Sequence, residues 1–298
     1  MNRRVFLACA AGSLNRLEAA ESPWGGPVLD IHLHPRSGDV TETQHLQGTG
    51  CTNAVLLPPR AAEEHCKEVM RREPGRYLRC ANTDPKAEDA IAHLRDGVKE
   101  GAVGFGELKA PVALDSPEAL RIYELAADLD VPVLVHFQEN LSFTGFERLP
   151  GIVKRNPRTR FIGHANSWWA YISSASDNKS GYPEGRIQPG GLTDRLLSDY
   201  PNVHGDLSAN SGRNALARDP EFAAEFLERH RAKLMFGSDC GCRDGHGAGQ
   251  QQGGPLQGQC VAQLTLTLLK KLAPAPLFRQ IVYENGARFY KLASHPTP

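Results

Sequence analysis

The chain has 298 residues, and its 34 Lys and Arg are balanced by 34 Asp and Glu, so the formal net charge is zero with His neutral. At 40% hydrophobic and 23% charged residues it has ordinary globular composition, which excludes a disordered chain and leaves no cationic excess for a broadly basic nucleic-acid surface. Eleven His in a neutral chain direct attention to metal ligation, while seven Cys scattered from position 9 to 260 lack the density of a disulfide framework.

In chain order, Arg3-Arg4-Val5-Phe6-Leu7 and the small and apolar residues up to Leu14 read as the start of a twin-arginine-type export signal. Arg16 ends that apolar stretch, and only Ala19-Ala20 approaches a cleavage site. Export to a periplasm and a cytoplasmic chain with a basic N-terminus both stay open. On either reading residues 1–25 stand outside the core. No run of about 18 apolar residues occurs, so no membrane span is expected.

From residue 26 to 293 short β-branched apolar runs alternate with longer amphipathic ones, leaving 294–298 as a tail. Candidate strands begin near Val28, Asn53, Tyr77, Val103, Pro132, Arg160, Val203 and Lys233, spaced 24 to 30 residues apart except for one interval of 43. Each interval accommodates a strand, a helix and two loops, the unit of a parallel sheet. Asp84-Pro85, Ser116-Pro117 and Asp219-Pro220 each place a capping side chain before a proline, which predicts three helix starts. Eight such units predict a (β/α)8 TIM barrel. No G-x-G-x-x-G follows the first strand, so a dinucleotide fold is not supported. Two loop insertions, 166–190 and 241–259, follow strand ends and are expected on the C-terminal face, where they can cover a substrate.

The chemistry concentrates at the strand tips. In Asp30-Ile31-His32-Leu33-His34 the alternation of a strand points His32 and His34 to one side, about 7 Å apart, where both can chelate one ion. Other apolar runs end in Phe105-Gly106-Glu107-Leu108-Lys109, Leu134-Val135-His136, Ile162-Gly163-His164 and Phe236-Gly237-Ser238-Asp239. A buried strand tip does not carry an imidazole or carboxylate without a partner, so their recurrence points to one shared site.

This arrangement, together with the closing segment Glu284-Asn285-Gly286-Ala287-Arg288-Phe289-Tyr290, resembles the amidohydrolase superfamily, and particularly its amidohydrolase-related (amidohydrolase 2) branch. The resemblance implies a distorted metal-dependent barrel in which His32, His34, His136, His164 and Asp239 are the ligand set. It implies a divalent metal, zinc by the donor types, as one or two ions. Glu107 permits a second ion, because some members bridge two metals from that strand, and the Gly106-Glu107 pair is similar to TatD-type nucleases. Lys109 shares the face of Glu107 as a substrate anchor or a carbamylated bridge.

The implied reaction is hydrolysis of an amide, ester or related bond of a small molecule, with Asp239 as general base and then acid and His164 as ligand or carbonyl polariser. A one-zinc non-oxidative decarboxylase of the same superfamily is the second reading, with a TatD-like phosphodiesterase or nuclease and a non-catalytic metal-binding protein behind it. Trp168 and Trp169 are candidate walls of a substrate pocket or plain packing residues. Arg186, like Arg36, Arg243 and His246, lies on a loop where it can meet a substrate carboxylate. Cys240 and Cys242 read as loop packing with capacity for zinc or oxidation, and His204 as packing. No nucleic-acid partner is expected, and a homo-oligomer stays open.

Overall fold

A computed structural model describes residues 22–36, 41–176, 180–250 and 255–292. The possible export segment up to residue 21 and the tail lie outside those residues. Eight parallel strands form where the apolar runs predict them: β1 (Leu29–Leu33), β2 (Asn53–Leu56), β3 (Tyr77–Arg79), β4 (Phe105–Leu108), β5 (Val133–His136), β6 (Phe161–His164), β7 (Val203–Asp206) and β8 (Leu234–Met235). They pair in chain order as a three-stranded and a five-stranded sheet. Backbone bonds bridge both gaps: the Ala81 N–H donates to the Gly104 carbonyl and Gly106 to Ala81 between β3 and β4, and Ile31 donates to Phe236 and Asp239 to His32 between β8 and β1. The fold is therefore a (β/α)8 barrel, distorted where the register shifts within β1 and β4.

The helices between strands include α1 (Glu42–Thr49), α2 (Glu63–Arg72), α3 (Ala90–Lys99), α4 (Pro117–Asp128), α5 (Leu149–Arg155), α6 (Ala165–Ala170), α7 (Leu192–Asp199), α8 (Ala209–Ala217), α9 (Pro220–Arg229) and α10 (Val261–Leu272). Two of the three proline-marked starts are caps: the Ser116 side chain accepts from the Ala119 N–H, and Asp219 from Phe222. Asp84 is not a cap. Its side chain accepts from Lys86 N–H and its carbonyl from Ala87, closing a turn, and α3 starts only at Ala90. The closing helical segment, Ala275 to Phe289, is tied down by Asn285, whose Nδ2 donates to the Arg231 and Leu234 carbonyls at 2.6 and 2.8 Å. Among the described residues no helix is long and apolar enough to cross a membrane.

Trp168 and Trp169 do not wall a pocket; they are core residues, 0% and 1% exposed. Trp168 lies against Phe137 and Phe146, and Trp169 against Phe226. Gly163 makes this possible, since a Cβ there would come within 2.1 Å of the Trp168 ring. The first part of the 166–190 insertion is thus helix α6, laid over β6 and β7. His204 packs on Phe289, as a packing role requires.

Candidate metal centre

Parallel strands deliver their last residues to one rim, and here that rim is polar. His32 from β1, His34 just past its end, Glu107 from β4, His136 from β5 and His164 from β6 meet Asp239, which follows β8. His32 Nε2 and His34 Nε2 are 3.4 Å apart. Asp239 Oδ1 lies 3.3 Å from His34 Nε2, and Oδ2 lies 3.7 Å from His164 Nε2. Glu107 sits in the middle: Oε1 is 2.5 Å from His136 Nδ1 and 3.3 Å from His164 Nε2, while Oε2 is 3.4 Å from His34 Nε2.

Close approach of the strands needs Gly237, where a Cβ would lie 2.4 Å from Asp206 Oδ1 and 2.8 Å from His32 Cβ. Backbone strain gathers at the same rim. Ala165, Ala209 and Asp239 all have positive φ, at 77°, 61° and 44°, a conformation that a non-glycine residue keeps only where its surroundings enforce it.

The imidazoles are held from behind. Nδ1–H of His32 donates to Asp206 Oδ2 at 2.7 Å, and Nδ1–H of His34 to the Leu57 carbonyl at 2.9 Å. Ser208 Oγ donates to Asp206 at 2.7 Å and accepts from His164 Nδ1–H at 2.9 Å. All three rings therefore turn Nε2 inward, and His164 Nε2 is buried without a hydrogen-bond partner. Such outer partners fix the ligating tautomer. Asp206 and Ser208 were not singled out from sequence, although Asp206 ends its apolar run, Val203-His204-Gly205-Asp206, just as the ligands end theirs. Asp30 joins β1 to β8 by accepting from the His32 and Ser238 N–H groups; burial pushes its pKa up to about 6.

Electrostatics show that the cluster favours positive charge. Burial alone would depress the pKa of His34 and His164. The carboxylates of Asp239 and Glu107 facing His34, and of Asp206 and Glu107 facing His164, outweigh it and lift both to about 10. Burial would likewise raise the carboxylates, yet the histidines hold Glu107 well below its ordinary range, and Asp206 and Asp239 below theirs. The buried Glu107 and Asp206 and the partly buried Asp239 demand compensating positive charge, which protons on imidazole or divalent ions can supply. The donors form three triads with mutual separations within 4.8 Å: His32–His34–Asp239, Glu107–His136–His164, and His32–His164–Asp206, the last being the supporting contact behind the rings. His and carboxylate donors so disposed fit a divalent ion.

Two cavities flank the rim. One of about 700 Å³ is lined by His34, Pro35, Arg36, Pro59 and His65. Another of about 270 Å³ borders Asp239, with Tyr182 from one insertion and Gln250, Pro255 and Leu256 from the other. Lys109 is exposed just beyond Glu107. Arg186 is not directed to the rim; it pairs with Glu221 and lies 3.8 Å from Asp219 at the start of α9.

The amidohydrolase family model matches residues 38–292, beginning just after the His32–His34 pair. Among solved structures, a candidate 2-pyrone-4,6-dicarboxylic acid hydrolase from Pseudomonas putida is 16% identical, with a TM-score of 0.61 over 90% of this chain and 99% of that one. A dihydroxybenzoic acid decarboxylase from Polaromonas sp. JS666, with bound manganese and an inhibitor, is 13% identical, with a TM-score of 0.57 over 90% and 98%. A dihydroorotase from Campylobacter jejuni is 18% identical, with a TM-score of 0.56 over 90% and 84%. These likenesses establish a shared fold that hosts both hydrolases and decarboxylases. No curated protein matches the chain.

Proposed function

The chain belongs to the amidohydrolase family, and from that premise we propose that it is a hydrolase of small molecules whose strand-end centre takes two divalent ions, zinc by the character of the donors. The observation that carries this reading is the division of Glu107. One carboxylate oxygen faces His136 and His164 and the other faces His34, the disposition of a bridge between the Glu107–His136–His164 and His32–His34–Asp239 triads. In a one-ion decarboxylase that carboxylate would have no such task.

When bound, the ions would polarise the scissile carbonyl and acidify a water. The protein supplies the rest. Asp239, 26% exposed at the mouth between the two cavities, is placed to take the proton of the attacking water and return it to the leaving group. Asp206 and Ser208 keep His32 and His164 oriented without touching substrate. Lys109 offers a cation for an anionic part of the substrate.

Metal content by mass spectrometry tests the bridge. A Glu107→Gln chain that folds normally should retain one ion fewer than the parent; equal content would overturn the two-ion reading. Turnover is assayed on a panel of lactones, esters and cyclic amides. Metal-dependent release of carbon dioxide from hydroxybenzoates, with no hydrolysis on the panel, would favour the decarboxylase instead.

A further inference from the structure

Behind Asp239 lies a second group of ligand-type side chains that the strand-end centre does not use. Cys240 and Cys242 follow Asp239 in the chain, Cys260 is the N-cap of α10, and His45 comes from α1. The three cysteines are free thiols, and none of the four residues is more than 4% exposed. Cys240 Sγ is 3.2 Å from Cys242 Sγ and 3.7 Å from Cys260 Sγ, and Cys242 Sγ is 3.7 Å from His45 Nδ1, which must give up its hydrogen bond to the Cys242 carbonyl, at 3.1 Å, to ligate an ion. With zinc–sulfur bonds of about 2.3 Å, the edges of a tetrahedral site are about 3.8 Å. Two of these separations match such edges, and the third needs only a slight opening of the Cys240–Gly241–Cys242 turn.

Three thiolates and one neutral imidazole around a divalent ion leave one net negative charge. Arg36 supplies the opposite charge beside it: Nη2 donates to the Cys240 carbonyl at 2.7 Å, while its Nε is buried without a partner.

We propose that Cys240, Cys242, Cys260 and His45 form a second, closed metal site for one thiophilic divalent cation of the zinc class, with a structural role. Binding exchanges thiol protons, released to water, for metal–sulfur bonds, and no electrons are transferred. The site fastens the segment after Asp239 to α1 and α10, and so fixes one side of the strand-end rim. It does not depend on that rim holding metal.

Cobalt loading of the unaltered reduced chain tests it directly. The strand-end residues contain no sulfur, so thiolate-to-cobalt charge-transfer absorption in the near ultraviolet reports only the cysteine site. That band is expected, and it should vanish in a Cys242→Ser/Cys260→Ser chain. A His32→Asn/His34→Asn chain should still hold about one zinc that a mercurial reagent releases as it titrates the thiols. Absence of the band from the unaltered chain would overturn the proposal, whether or not the serine variant folds. Recovery of Cys240 and Cys242 as a disulfide from protein prepared without oxidant would do the same.

Discussion

At the mouth of the barrel His34 and Asp239 keep 39% and 26% of their side chains exposed, whereas a few residues further along the chain Cys240, Cys242 and Cys260 are at most 4% exposed. The first cluster pairs imidazole with carboxylate and borders two cavities; the second gathers three buried sulfurs and an imidazole, none of which lines either of those cavities. An open position separates a metal that performs chemistry from one that holds a fold together. The same barrel rim thus carries both designs side by side, joined through the Asp239-Cys240 peptide bond. The difference lies in assembly. Strand ends present their last residues toward a shared opening, while a loop folded back on a helix N-terminus seals its contents.

The largest effect that can break this contrast is on turnover. Asp239→Asn keeps the side-chain volume but removes the proton acceptor, so metal-dependent hydrolysis should fall by about 10²- to 10⁴-fold. The near-ultraviolet cobalt band of the sulfur site should be unchanged. Loss of both together would mean that the two clusters are one functional unit.

A smaller effect is expected from the outer support. Asp206→Asn leaves the inner donors in place but weakens the hold on His32 and His164, and metal affinity at the strand ends should drop about 10- to 100-fold. Competition with a chelator measures it. The sulfur site has no link to Asp206 and should keep its ion at the same chelator concentration.

Much of the open cluster is legible in the sequence, and of the closed one only Cys240 and Cys242. Each strand-end ligand terminates a short apolar run, so its position follows from periodicity alone, and parallel pairing does the rest. Asp206 obeys the same rule, but its run is short and carries His204, which drew attention without having a role at the rim. Trp168 and Trp169 mislead for the opposite reason. They follow a ligand and look like pocket walls, but Gly163 leaves a hollow on β6 that a ring fills from above. His45 and Cys260 lie far from Cys242 in the chain and share no periodicity with it. Only the return of α10 and α1 to the same rim brings them together.

Titration separates the clusters next. In the metal-free fold His34 and His164 hold protons up to about pH 10, whereas in the unfolded chain they release them near 6.5. Both pKa values are raised by folding, so their contribution to stability is complete below 6.5 and disappears as the pH climbs toward 10. Thermal unfolding of metal-free protein should accordingly shift down by a few degrees between pH 7 and pH 9. Metal-loaded protein, whose imidazoles are already deprotonated, should lack this slope. Identical slopes would show that protons do not stand in for the ions.

The smallest effect concerns the residue that touches both regions. Arg36 lines the larger cavity beside His34 and donates to the Cys240 carbonyl. If its charge serves the sulfur site, Arg36→Gln should weaken zinc retention there by only about two- to fivefold, because a partly exposed ion pair is worth about 0.5–1 kcal/mol. The loss should shrink as salt is added. Were the charge serving substrate instead, the same change would raise KM for anionic substrates and leave sulfur-bound zinc untouched. Zinc competition and a KM series on one variant therefore decide to which side of the rim Arg36 belongs.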